Sequence, residues 1–207
     1  VAGFNSFEAF ELDVLKEVGN IGAGNAATAL SKLLGKPVDM AVPKVSLLAF
    51  EEVAERVGGS EQIVLAVFLR VEGEAPGNMF FIIEEQSAKR ILRQLLSMRH
   101  EDEEESYSEM ELSAICEIGN ILAGSYLSSL ADFTQLSMQP SVPGIAHDMA
   151  GAILSYGLMQ YGEMGDSALL IETTFLEDCE SLEGHFFLIP DPESFNKIFR
   201  ALGVGQE

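Results

Sequence analysis

The chain has 207 residues, 47% of them hydrophobic, enough for one large domain or two small ones whose core needs no disulfide or metal staple. Acidic residues number 33 against 12 lysines and arginines, a formal charge of -21, so the surface repels phosphate backbones and anionic lipid and argues against nucleic acid or membrane as a partner. The two cysteines, Cys116 and Cys179, have neither C-x-x-C nor short Cys/His ligand spacing, so neither a zinc site nor a disulfide framework is indicated.

In chain order, the stretch from Val1 to about Asn20 carries acidic residues where a signal peptide has a basic segment, and no apolar run approaches about 18 residues. A cytoplasmic, non-exported protein is expected. A long amphipathic helix is predicted from Ser6 to Leu34, stopped by Gly35 and Pro37. Strands are predicted at Val38 to Leu48, Ile63 to Val71 and Asn78 to Ile83, followed by a short helix from Glu85 to Ser97. The run His100 to Ser106 holds five consecutive acidic residues and reads as a solvated linker. A second long helix, Glu109 to Phe133, opens on the capping box Ser108-x-x-Glu111. Strands at Ser137 to Val142, Ala168 to Phe175 and Gly184 to Ile189 follow, then a helix from Pro192 to Leu202. The segments Val45 to Arg56 and Ile145 to Met159 read ambiguously, the latter at least partly helical.

The same order of elements therefore occurs twice. Leu12/Leu112, Glu17/Glu117, Gly19/Gly119, Asn20/Asn120, Gly24/Gly124, Leu30/Leu130 and Pro43/Pro143 recur at an offset of 100. Further on, Phe80-Phe81-Ile82-Ile83 aligns with Phe186-Phe187-Leu188-Ile189, a drift to an offset of 106 that implies insertions in a surface loop. The expected architecture is α+β: a single domain of two pseudo-twofold-related repeats, residues 4–97 and 108–203, joined by the acidic linker 100–106, sharing one β-sheet. Two independent domains of about one hundred residues are the alternative.

A polar signature lies inside the repeat. Asp13-x-x-x-Glu17-x-x-Asn20 is followed after 22 residues by Pro43, and Ser113-x-x-x-Glu117-x-x-Asn120 after 22 residues by Pro143. On a helical wheel Val14, Leu15, Val18, Ile21, Ala26, Ala29 and Leu30 form the apolar arc, and Asp13, Glu17, Asn20 and Gly24 lie almost opposite. In the second helix Ile115, Ile118, Ile121 and Leu122 take the buried arc while Ser113, Glu117, Asn120 and Gly124 share the exposed one. One such stripe is ordinary helix surface. Asn and Gly are poor helix-interior residues, however, and their return in register suggests a docking surface centred on a carboxylate and a carboxamide. No Ser/His/Asp set, metal cluster or phosphate-cradling glycine loop accompanies them, and His100, His147 and His185 do not group with the pair. A carboxamide can still hold a water for in-line attack on a phosphoryl group supplied, with its metal, by a partner.

At these residues the chain resembles the CheC/CheX/FliY family of chemotaxis phosphatases, whose signature is Asp or Ser, three residues, Glu, two residues, Asn, 22 residues, Pro. Both copies fit every position, and two copies in about 200 residues fit the CheC-type branch better than a single-copy CheX-type dimer or a FliY-type switch protein. The resemblance implies dephosphorylation of a CheY-type response regulator, with Asn20 and Asn120 positioning the attacking water and Glu17 and Glu117 pairing with the regulator's lysine. Asp13, Ser113, Pro43, Pro143, Gly24 and Gly124 would support the motif. It also implies a monomer with no cofactor of its own, Mg2+ staying on the regulator, and a second partner, the receptor deamidase CheD, whose contact is guessed at Ala146 to Tyr161. An adaptor that binds regulator or CheD without chemistry and a flagellar-switch component are the competing readings.

Overall fold

The computed structural model describes residues 9–94, 106–161, 167–177 and 180–203. Two helices of 26 residues dominate it, α1 (Ala9–Leu34) and α4 (Glu109–Thr134). The start of α4 follows from the capping box: the Glu111 N–H donates to Ser108 Oγ at 3.3 Å and the Ser108 N–H to Glu111 Oε2 at 2.8 Å, satisfying two amides that a bare helix end leaves orphaned. α1 ends where Gly35 adopts φ +66°, and α4 ends at Gln135 with φ +58°, whose N–H closes on the Ala131 carbonyl at 2.8 Å. The shorter helices are α2 (Glu52–Arg56), α3 (Glu85–Gln94), α5 (Ala150–Tyr161) and α6 (Pro192–Ala201). Both ambiguous segments prove to be a strand that turns into a helix. The five-acid linker, the first residues of the first helix and the end of the predicted Glu85–Ser97 helix lie outside the described residues.

The strands are β1 (Asp39–Ala49), β2 (Ile63–Gly73), β3 (Gly77–Glu84), β4 (Met138–Pro140), β5 (Gly144–Met149), β6 (Ser167–Glu177) and β7 (Glu180–Pro190). They form one antiparallel sheet in the order β1-β6-β7-β3-β2-β4, with β5 continuing β4 along the same edge of β2. The order is a palindrome about the β7–β3 pair. Each repeat's first strand is hydrogen-bonded to the other repeat's second strand, β1 to β6 and β4/β5 to β2. Neither half has a complete sheet without the other, so the two-domain alternative is excluded and the single-sheet expectation holds.

Strand alternation feeds two cores. Leu65, Val67 and Leu69 of β2, Met79, Phe81 and Ile83 of β3, and Phe186 and Leu188 of β7 meet α1, α3, α4 and α6. The opposite side chains, including Val64, Ala66, Phe80, Ile82, Leu170, Phe187 and Ile189, meet α2 and α5. Alternation also corrects the repeat alignment. Phe80 and Phe186 lie on opposite faces, so they cannot be symmetry mates. Phe81 and Phe186 pair directly across the centre and point into the same core, so the pseudo-twofold axis passes through that pair and Phe81-Ile82-Ile83 answers Phe186-Phe187-Leu188. Aromatic similarity had drawn the alignment one residue out of phase, and a one-residue slip exchanges the two faces of a strand.

Helices α1 and α4 pack on each other at Gly22, where an added Cβ would come within 2.6 Å of the Tyr126 ring. Tyr126 fills that space, packs against Phe186 with ring centroids 4.9 Å apart and tilted by 52°, and bonds Thr173 Oγ1 through its hydroxyl at 2.8 Å. At the pseudo-equivalent positions stand Leu122 and Ala26, both fully buried. Gly119 has no spare room either, since a Cβ there would lie 2.6 Å from the Val67 Cβ, whereas Gly24 and Gly124 have nothing within 4 Å.

Two opposite alanine effects are therefore expected in urea or thermal unfolding. Gly119→Ala overpacks the helix–sheet contact and destabilises by about 1–3 kcal/mol. Gly24→Ala enters open space and stabilises the isolated protein by about 1 kcal/mol, the helix-propensity difference; a loss at position 24 would show that the glycine serves the protein's own packing.

Candidate functional site

The outer faces of α1 and α4 carry the signature as the wheel places it, with two departures. Asp13, Glu17 and Gly24 are exposed on α1, and Ser113 and Glu117 on α4. Asn20 and Asn120 are half-buried rather than fully on the solvent face, as is Gly124. Ile21, assigned to the buried arc, is 39% exposed beside Asn20, while Leu15, Val18, Ala26 and Leu30 are buried as expected. The arc that α1 buries is narrower than its apolar sequence because small Gly19, Gly22 and Ala23 sit at the contact instead.

Asn20 is half-buried because it leans on β1. The backbone N–H of Val42 donates to Asn20 Oδ1 at 3.1 Å. That N–H is available because the β1–β6 ladder breaks there: Ala41 pairs with Thr174 and Lys44 with Glu172, so Val42 and Pro43 together face Thr173. Two residues opposing one is a β-bulge, and Pro43, lacking an N–H, sits where the ladder is interrupted. The signature proline thus lies next to the residue that holds the signature asparagine. Only an oxygen can accept from Val42, so the carboxamide is fixed with Oδ1 inward; one Oδ1 lone pair and both Nδ2 protons are left to other groups.

The second repeat has an equivalent break and a different outcome. Val71 pairs with Pro140 and Phe68 with Gly144, so Ser141, Val142 and Pro143 together face Leu69 and Arg70. Here Ser141 takes the cross-strand bonds: its N–H donates to the Arg70 carbonyl at 2.8 Å, and the Arg70 N–H donates to Ser141 Oγ at 3.0 Å. The Arg70 guanidinium is itself anchored on the Asp191 carboxylate. Val142 is left 90% exposed, against 1% for Val42, and the Asn120 side chain has no hydrogen bond to any described residue. Val42 is the functional group that reading the sequence missed. Its signal was the 22-residue spacing itself.

Among the described residues, Glu17, Asn20, Glu117 and Asn120 line neither of the two cavities. Beside the β1 break, on the sheet face that carries α2, lies a cavity of about 350 Å³ lined by Pro43, Arg56, Glu84, Glu172, Glu183 and His185 among others. Arg56 pairs with Glu172 at 2.5 Å. Burial lowers the His185 pKa below its ordinary value, against the opposing pull of Glu172, Glu183 and Glu84. On α4, burial and then the Glu117 carboxylate push the Cys116 thiol up, which keeps it protonated and a poor nucleophile. Among the described residues no three His, Cys, Asp or Glu side chains are grouped so as to hold a metal ion, and no helix is long and apolar enough to cross a membrane. What the stripes offer is a convex face with a carboxylate and a carboxamide one helical turn apart, suited to entering another protein's site.

Comparison with known proteins places the same segments. The model of the CheC-like family matches residues 10–47 and 110–147, one match per repeat. The chain is 43% identical over 204 residues, 97% of its length and 98% of the relative's, to the CheY-P phosphatase CheC of Bacillus subtilis (strain 168). Its fold is shared with the X-ray structure of Thermotoga maritima FliY, at a TM-score of 0.72 and 20% identity over 97% of this chain and 99% of that one. It is shared at a TM-score of 0.51 and 15% identity, over 82% and 96% of the two chains, with a structure from the CheX-CheY-BeF3-Mg+2 complex of Borrelia burgdorferi.

The unequal settings of the two asparagines predict unequal stability costs. Asn20→Ala strips the Val42 N–H of its acceptor and costs about 1–2 kcal/mol, whereas Asn120→Ala stays within about 0.5 kcal/mol; equal costs in chemical unfolding would contradict the hydrogen bond. His185 gives a pH signature. Its folded pKa is lowered, so as pH falls below the ordinary value of 6.5 the unfolded chain takes the proton first and stability declines, while above that pH the residue has no effect. His185→Gln should flatten the acid side of a plot of unfolding midpoint against pH.

Proposed function

The chain belongs to the CheC-like family, and on that premise we propose that it is a phosphatase that removes the aspartyl phosphate from a CheY-type response regulator. The observation that carries this reading is the Glu-x-x-Asn stripe, present on the outer face of both long helices in a chain 43% identical to a CheY-P phosphatase. A convex stripe without a nucleophile of its own fits a reaction whose reactive group is held by the other protein.

In this reading, docking α1 or α4 against the regulator brings Asn20 or Asn120 to the phosphoryl group. The carboxamide hydrogen-bonds a water, at Asn20 through the outward Nδ2 group, and orients it in line with the phosphorus. Water oxygen bonds to phosphorus, the acyl phosphate P–O bond breaks, and the products are inorganic phosphate and the regulator's free aspartate carboxylate. Glu17 or Glu117, exposed one turn earlier, pairs with a cation on the regulator and fixes the docked register. The metal ion expected on the regulator neutralises charge on the phosphoryl oxygens. Gly24 and Gly124, with open space around them, let the partner's backbone approach the helix closely.

A cytoplasmic monomer and a second partnership with the receptor deamidase CheD complete the proposal. The segment guessed for CheD comprises β5 from Ala146 and helix α5; there Ile153 and Leu154 are committed to the core, so a contact would have to use other side chains.

The test is phosphate release from a phosphorylated regulator by wild type, Asn20→Ala, Asn120→Ala and the double variant. Each single variant should keep part of the activity and the double variant should fall by at least about 100-fold, the range expected when a positioned catalytic group is removed. Full activity in the double variant would sink the assignment. Binding of the phosphoregulator with release at its spontaneous rate would point to an adaptor.

A further inference from the structure

The 22-residue interval between asparagine and proline has a geometric reading. From Asn20 to the end of α1 at Leu34 the helix climbs about 21 Å, and from Gly35 to Val42 the extended chain returns about 23 Å. The interval is the length that brings β1 back alongside the asparagine that opened it. Pro43 then falls one residue past the contact, at the point where the β1–β6 ladder is broken. Proline withholds the one N–H that position 43 would otherwise offer to β6, and a strand drawn into that bond would carry the Val42 N–H away from Asn20.

We propose that Pro43 is a positioning residue for Asn20: by keeping the ladder broken it holds the Val42 N–H on the carboxamide, so the first site is preset in the free protein. The carboxamide torsion is otherwise a broad rotor, and the single bond from Val42 fixes which end faces outward. In the second repeat the same spacing leads to a bulge whose bonds go to Ser141, and Asn120 is left to be ordered by the docked partner. The two sites thus differ in when the cost of ordering is met, before docking at Asn20 and during it at Asn120. The consequence for rate rests on the phosphatase reading above; the hydrogen bond does not.

The experiment joins two readouts. Amide hydrogen exchange by NMR is measured at Val42 in the free wild type, Asn20→Asp, Asn20→Ala and Pro43→Ala, and phosphate release is measured for Pro43→Ala in an Asn120→Ala background where the first site alone is live. Val42 should be protected in wild type and in Asn20→Asp, which keeps the acceptor, and should exchange about tenfold faster in Asn20→Ala and Pro43→Ala. Pro43→Ala should lower kcat about tenfold with KM unchanged, the mark of lost positioning rather than lost docking. Equal Val42 exchange in wild type and Asn20→Ala, or a Pro43→Ala protein with kcat intact, overturns the proposal. If Pro43→Ala does not fold, Pro43→Val, a strand former that also restores the N–H, takes its place, and Val42 protection equal to wild type in that variant overturns the proposal. A wild type that releases no phosphate sinks the phosphatase reading instead, and Val42 exchange still judges the tie.

Discussion

The exchange of strands between repeats is the constraint on which the rest of the molecule depends. Because β1 bonds to β6 and β5 to β2, the sheet closes only when both repeats contribute, and the two long helices are brought onto one face together. The Phe81–Phe186 pair marks the axis of this arrangement, with both rings buried in the core under α1 and α4. Phe80, Phe81, Phe175, Phe186 and Phe187 are all essentially inaccessible to water, and each contributes roughly 2–3 kcal/mol of burial. Because the inner faces of α1 and α4 form the core, their outer faces are available for the recognition proposed above.

On that platform the two stripes share residues and differ in support. Val42 is enclosed and its N–H is directed to Asn20; Val142 is in water and its neighbour Ser141 is bound to Arg70. The difference originates in the bulges, two residues against one in β1 and three against two between β4 and β5. An extra residue in a bulge redirects every hydrogen-bonding group within it, so near-identical motifs need not be near-identical sites.

Much of this was legible in the sequence because it depends on periodicity and capping. The helices, the Ser108/Glu111 box, the glycine stop at Gly35 and the repeat itself are local patterns, and the structure bears them out. Three things were not legible, each for a physical reason. The alignment of β3 with β7 as repeat equivalents is one residue out because consecutive aromatic and aliphatic side chains on two-sided strands carry no alternation to align on. The exposure of Ile21 depends on how closely Gly19 and Gly22 let α1 approach its neighbours, which no wheel encodes. The role of Val42 belongs to its backbone, and a backbone amide has no identity in a sequence; only the invariance of the spacing hinted at it.

The crossing at Gly22 and Tyr126 records what has happened since the halves were alike. A symmetric ancestor, with one residue type at each position, would have placed the same two side chains at both ends of the crossing. Two copies of the present first half would face Gly with Ala and leave a void, and two copies of the second would press Leu against Tyr. The present halves have traded volume across the axis, small against large, until each fits only the other. Cutting the chain at the linker would yield two fragments whose long helices fit each other better than a second copy of themselves.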